Sequence, residues 1–300
     1  MRFLLLLLTT WCGTAVALDT VFAPTPQHTL TPPYGATGTG SSWSSSGQAF
    51  FGQAVAISEN YAVVGDGKRR RVQIYKKSAS GSWGRIQEIN YLANPPTPGT
   101  GANDGGSTPT SSFGSSVQIT DNFLLVGAAG SERAFLFERK GTQFQLVQQF
   151  QPTNLDSVRG TGHANQYDHC ASNLRKANYC DSFGEVLALT DEWVVGVPPS
   201  TYSGSDYGQS LSYVIGALIY RRNDDGSWPV DVTQIIGDPY GVHDMYQDKQ
   251  RNCQSVAISP ESTWLAIGCP YGPASTPHIK PHVYLYERLP SSPKQWTLKS

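Results

Sequence analysis

The chain has 300 residues, 15% of them charged, with 22 Lys and Arg against 23 Asp and Glu, and a formal net charge of -1. Such a balance gives no broad basic surface for nucleic acid and no cationic face for an anionic membrane. Thirty glycines and twenty prolines exclude a long-helix protein and fit an all-β fold with many turns.

The N-terminus reads as an export signal. Arg2 precedes the apolar run Phe3 to Leu8, and Ala15-Val16-Ala17 offers a small-residue cleavage site before Leu18. The run is shorter than the roughly 18 apolar residues needed to span a bilayer. No later stretch is longer, so the expectation is a secreted, extracellular chain without membrane insertion, or a cell-surface one if a longer parent chain carries an anchor. Residues 18–49 form a Pro/Gly/Ser-rich segment in which His28-Thr29-Leu30-Thr31 is a possible strand.

From residue 50 a repeat sets in. Phe51-Gly52 opens the apolar run Gln53 to Ile57, a polar turn follows, and Tyr61-Ala62-Val63-Val64-Gly65 comes next. The same order recurs at Phe113-Gly114 with Phe123 to Gly127, and at Phe183-Gly184 with Trp193 to Gly196. It recurs once more at Asn252-Cys253 with Trp264 to Gly268. The spacings are 62 (52 to 114), 70 (114 to 184) and 69 (184 to 253). Each unit adds a third run (Val72 to Tyr75, Ala134 to Phe137, Ala217 to Tyr220, Val283 to Tyr286). A fourth follows (Trp83 to Ile89, Phe144 to Phe150, Trp228 to Ile236, Trp296 onward). Four short β-branched or aromatic runs per unit predict a four-stranded antiparallel blade. The second run is apolar at nearly every position, as expected of a strand covered on both faces. The predicted blades span residues 50–90, 112–151, 182–237 and 251–300.

On these residues the chain resembles FG-GAP repeat proteins, the blades of the integrin-α-like β-propeller. Phe-Gly is intact in three units and replaced by Asn252-Cys253 in the fourth. The Gly-Ala-Pro element is present only as variants, Gly65-Asp66-Gly67, Gly127-Ala128-Ala129, Gly196-Val197-Pro198 and Gly268-Cys269-Pro270. The resemblance implies a propeller of which these four blades could be part of a seven-bladed ring, and an adhesion-like binding function. It also implies calcium in the first turn of each blade. That turn here is Ser58-Glu59-Asn60, Thr120-Asp121-Asn122, Thr190-Asp191-Glu192 or Ser259 to Ser262. None carries the alternating carboxylates that supply calcium with six to eight oxygens, so no cofactor or metal is assigned. Asp224-Asp225-Gly226 reads as an ordinary hairpin turn.

Four cysteines remain once Cys12 leaves with the signal. Cys253 and Cys269 fall opposite each other across the first hairpin of unit four, within disulfide reach. Cys170 then pairs with Cys180 by elimination. Zinc is the competing use of four cysteines, but the chain has no C-x-x-C pair and follows an oxidising route.

The connections carry the functional expectation. In an antiparallel blade the 1–2 and 3–4 turns leave one end, and the 2–3 and 4–1 connections the other. The first set is short. The second is long, at about 90–112, 151–182, 198–215, 237–251 and 271–281, and holds nine of the fifteen tyrosines. Long loops on a rigid scaffold suit recognition, and Tyr gives contact area at low entropy cost. Tyr202, Tyr207, Tyr240 and Tyr246 are therefore the candidate binding residues, with an extracellular protein or glycan as partner. The competing role for these tyrosines is packing the loops onto the blades. No G-x-S-x-G, H-E-x-x-H or Walker motif is present. His163, Asp168, His169, His243 and Asp244 gather in long loops without a ligand spacing, and Lys68-Arg69-Arg70-Arg71 reads as a solvated turn. An enzyme is therefore not the first expectation. The alternatives are the propeller portion of an extracellular hydrolase, or a structural matrix protein.

Overall fold

The computed structural model describes residues 28–30, 51–91, 112–131, 133–151, 183–197, 215–237, 253–269, 282–289 and 293–299. The chain divides into two compact units, residues 1–39 and 40–300. Of the first, residues 28–30 are described and lie in no strand, while Thr31, the last residue of the possible strand, lies outside the described residues. Pro26, Pro32 and Pro33 flank this stretch and cannot donate to a ladder.

The second unit is all-β. Its described strands are β1 (Ala54–Ile57), β2 (Tyr61–Asp66), β3 (Arg71–Lys77), β4 (Trp83–Asn90), β5 (Phe113–Ile119), β6 (Phe123–Ala128), β7 (Arg133–Lys140) and β8 (Gln143–Phe150). After these come β9 (Val186–Leu189), β10 (Trp193–Val197), β11 (Ile215–Arg221), β12 (Gln234–Gly237), β13 (Ser255–Ile258), β14 (Trp264–Cys269), β15 (His282–Arg288) and β16 (Trp296–Leu298). A single 3-10 turn, Ala129–Ser131, interrupts them. They form four sheets of four strands, each in simple sequential antiparallel order. Tight turns set the register: Val55 faces Val64, Val117 faces Val126, and Val256 faces Ile267.

Each blade packs on the next through apolar side chains that a period of two places on alternate faces. Tyr61, Val63, Val72 and Ile74 of blade 1 meet Val117, Ile119, Leu124 and Val126 of blade 2. Phe123, Leu125 and Leu136 of blade 2 meet Leu187, Leu189, Val194 and Leu218 of blade 3. Val195, Ala217 and Ile219 of blade 3 meet Leu265, Ile267, Tyr284 and Tyr286 of blade 4. Every joint also holds one edge-on aromatic pair at equivalent positions. These are Tyr61 with Phe144, Phe123 with Trp228 and Trp193 with Trp296, at centroid distances of 5.4, 5.6 and 5.4 Å. Such a pair contributes about 0.5–1.5 kcal/mol beyond its buried area.

Polar side chains repeat across the joints as well. Gln87 Nε2 donates to the Phe144 carbonyl at 2.9 Å, and its Oε1 accepts from the Phe144 amide at 2.7 Å. Gln234 does the same to Trp296, at 3.0 and 2.9 Å. Each glutamine imitates a strand partner for the outermost strand of the next blade. The Phe-Gly glycines form a backbone joint. Gly114 and Gly184 lie at φ 90° and 97°, a region that disfavours side chains. Their carbonyls press against Gly65 and Gly127 of the preceding blade, so closely that a Cβ at either position would overlap the oxygen. Ser116 Oγ donates to the Gly184 carbonyl.

Three expectations are corrected. The fourth run of blade 3, expected from Trp228 to Ile236, forms a strand only at Gln234–Gly237; Pro229 offers no amide donor at its start. The second strand is fully buried in blades 1 to 3, but β14 alternates between exposed and buried. Among the described residues no further blade covers its outer face. Cys253 and Cys269 are disulfide-linked, but they are not directly opposed. The ladder pairs Ser255 with Gly268, which offsets the two cysteines by one residue.

Candidate functional site

Sequential antiparallel order gives every blade two unlike ends. At one end lie the 1–2 and 3–4 turns. A Ser or Thr closes each 1–2 turn by accepting the amide at the start of the second strand. Thr120 Oγ1 binds the Phe123 amide at 2.9 Å, while Ser58, Thr190 and Ser259 bind the Tyr61, Trp193 and Trp264 amides at 3.1 Å. The next residues join one blade to another. Asp121 accepts from Ser58 Oγ at 2.6 Å and from the Asn60 amide and side chain. Asp191 accepts from Thr120 and Asn122. Ser262 Oγ donates to Thr190 Oγ1 at 2.9 Å. Glu192 takes Arg221 at 3.1 Å and Arg288, from blade 4, at 3.0 Å, and both guanidinium groups stand 5.9 Å from the Trp193 ring.

The electrostatics follow from this contact chain. Partial burial pushes the Asp121 carboxyl pKa up. The hydrogen bonds from Ser58 and Asn60, with the nearby Arg139 charge, outweigh it and hold the group below its ordinary value of 3.8. At the 3–4 turn of blade 3, Asp224 is held low by a hydrogen bond from Arg221 and the Lys294 charge, and Asp225 by Ser227. Asp225 caps its own turn, accepting from the Ser227 amide at 2.9 Å, so Asp224-Asp225-Gly226 is a hairpin turn. Asp121, Asp191, Glu192, Asp224 and Asp225 thus hold turns and blades together. Among the described residues no group of three His, Cys, Asp or Glu converges as a metal site would.

The opposite end carries the 2–3 and 4–1 connections. Two are short: the basic turn after β2 and the 3-10 turn after β6. In the basic turn Asp66 is buried and pairs with Arg69 at 3.7 Å and Arg71 at 3.5 Å; Arg71 also reaches Glu88 at 3.6 Å. These arginines brace the β2–β3 turn. Tyr91, at the start of a long connection, lies 5.6 Å from the Phe113 ring and 5.8 Å from Phe135, so it packs the loop onto blade 2. Tyr202, Tyr207, Tyr240 and Tyr246 lie outside the described residues. So do His163, Asp168, His169, Cys170, Cys180, His243 and Asp244. The described strands fix the end of the blade row from which the long connections leave.

Sequence reasoning missed the inter-blade contacts. The signal was present: Gln87 and Gln234 sit at the same place relative to Ile74 and Ile219, and Asp121 and Asp191 at the same place in their turns.

No family model and no curated protein matches the chain. Solved structures resemble it at low identity. A Lactobacillus plantarum protein is 10% identical with a TM-score of 0.41, covering 80% of this chain and 53% of its own. A Bacteroides fragilis protein provisionally assigned as a 6-phosphogluconolactonase is 9% identical with a TM-score of 0.43, covering 81% and 52%. U3-55K is 9% identical with a TM-score of 0.39, covering 82% and 65%. The chain thus spans about half the length of the first two, and likenesses of this size add nothing about activity. The fold stands on the strands and joints themselves: an all-β protein of four-stranded antiparallel blades, of β-propeller type.

Proposed function

We propose that the protein is a secreted binding module of FG-GAP type that meets an extracellular protein or glycan on the end of the blades carrying the long connections. The observation behind this reading is the asymmetry of the two ends. The turns of one end are hydrogen-bonded from blade to blade through Asp121, Asp191 and Ser262. These side chains are engaged with the neighbouring blade rather than turned to a ligand. The other end receives connections rich in tyrosine, on a scaffold stiffened by three apolar joints. The FG-GAP reading draws support from Gly52, Gly114 and Gly184, which share a φ of 89° to 97° after a phenylalanine.

The test is a glycan and cell-surface protein array probed with the purified chain, followed by alanine replacement of Tyr202, Tyr207, Tyr240 and Tyr246. An anchoring tyrosine should cost about 2 kcal/mol or more of binding when truncated, with the fold intact. Unchanged affinity with a lowered melting temperature would make the tyrosines packing residues. Loss of binding on replacing Asp121 or Asn122 in a still-folded chain would move the site to the opposite end.

A further inference from the structure

The first and fourth blades carry exposed residues at positions that are buried in the joints between the blades. In blades 2, 3 and 4 the first strand presents two apolar residues to the preceding blade: Val117 and Ile119, Leu187 and Leu189, Val256 and Ile258. Register places Val55 and Ile57 of blade 1 at the same positions. They are 68% and 69% exposed. The Phe-Gly glycine of blade 1 is unused too. A Cβ at Gly114 or Gly184 would strike the Arg71 or Arg133 carbonyl of the preceding blade, whereas at Gly52 it would meet nothing within 4 Å. On the next two strands of this face Ala62, Val64, Gln73 and Tyr75 are buried. The exposed part of this face is therefore the first strand, whose counterpart β5 lies against β1 and β2 in the joint between blades 1 and 2.

Blade 4 has the complement. Trp264, Val283 and Leu285 stand where Tyr61, Val72 and Ile74 receive blade 2, and they are 45%, 63% and 39% exposed. Ser255 and Gly268 repeat the Ser116 and Gly127 pair that receives the Gly184 carbonyl, and a Cβ at Gly268 would meet only the Ser255 side chain. Trp264 also lacks the aromatic pair made by Tyr61, Phe123 and Trp193. Trp83, half-exposed on blade 1, occupies the position from which Phe144, Trp228 and Trp296 supply that ring.

We propose that blade 4 of one copy receives the first strand of blade 1 of a second copy, in a head-to-tail contact that repeats the first-strand part of the internal joints. Gly52 presses its carbonyl toward Gly268 and Ser255, and Val55 and Ile57 cover Val283 and Leu285. Contiguous exposed apolar surface of this kind marks an interaction face. A surface complementary to a different surface of the same molecule is heterologous, closing into a ring or extending with the rotation between copies.

Sedimentation of the chain across the micromolar range tests it. Wild type should show concentration-dependent association. Ile57→Asp and Val283→Asp should each sediment as monomers, with melting temperatures near wild type because both positions are exposed in one copy. Mixing the two variants leaves one intact pair of faces, and should give heterodimers and nothing larger. A wild type that stays monomeric throughout overturns the proposal. So does association that survives either substitution, or a mixture that stays monomeric. A large fall in the melting temperature of either variant would also overturn it, by showing that the residue is already covered within a single copy.

Discussion

The backbone joint between blades 2 and 3 can be tested with one methyl group. Gly127→Ala places a Cβ well inside contact distance of the Gly184 carbonyl oxygen and Ser116 Oγ. Non-bonded heavy atoms in contact prefer about 3.5–4.0 Å, so the blades must separate by more than about 1 Å at that point. Neither partner is the free end of a flexible chain. Overpacking of this kind costs about 1–3 kcal/mol. Ala in a strand would otherwise gain about 0.5–1 kcal/mol over Gly through chain entropy. The expected net loss is about 1–2 kcal/mol, which in a domain of this size lowers the melting temperature by roughly 2–8 °C. Gly84→Ala is the control, because a Cβ there meets nothing within 4 Å, and it should be neutral or slightly stabilising. Thermal unfolding followed by circular dichroism reads both. If Gly127→Ala melts at or above wild type while Gly84→Ala behaves as expected, blades 2 and 3 are not joined through this carbonyl.

Gln234→Ala should destabilise by about 1–3 kcal/mol, since it leaves the Trp296 amide and carbonyl without their partner; urea titration measures it. Tyr220→Phe should be neutral or stabilising by about 1 kcal/mol. The hydroxyl is buried with no hydrogen-bond partner, and burial, reinforced by Asp231, raises its pKa well above the phenol range. A loss of more than about 1 kcal/mol would show that the hydroxyl is bonded. Asp121, Asp224 and Asp225 all have carboxyl pKa values held below 3.8. Their contribution is complete above the unfolded value and is lost as pH falls through the folded ones. Stability should therefore drop below about pH 4, and Asp121→Asn should flatten that part of the curve. Opening the Cys253–Cys269 link, which spans 16 residues, should cost about 3 kcal/mol on the chain-entropy account. Non-reducing peptide mapping should also recover Cys170 with Cys180.

What the sequence by itself determined is local and periodic. Four units, each with four runs of alternating or continuous apolar residues, leave few folds other than stacked antiparallel blades, because a one-residue slip would turn each core face to solvent. The short turns were legible for the same reason, since Thr120-Asp121-Asn122 and its counterparts close hairpins by their own side chains. The tertiary structure decided what these residues do next. Whether Asp121 binds an ion or the neighbouring turn depends on what lies beside it, 61 and 63 residues away in the chain. Gln87 and Gln234 are polar residues in the fourth runs of their units, and only the packing of adjacent blades turned them into strand partners. The same holds for Val55, Ile57, Trp264, Val283 and Leu285. Each reads as a core residue by its place in the repeat, and is exposed because burial in a blade row is a property of neighbours. The tyrosines proposed for recognition belong to connections with no repeat and no period, where sequence carries composition and little geometry.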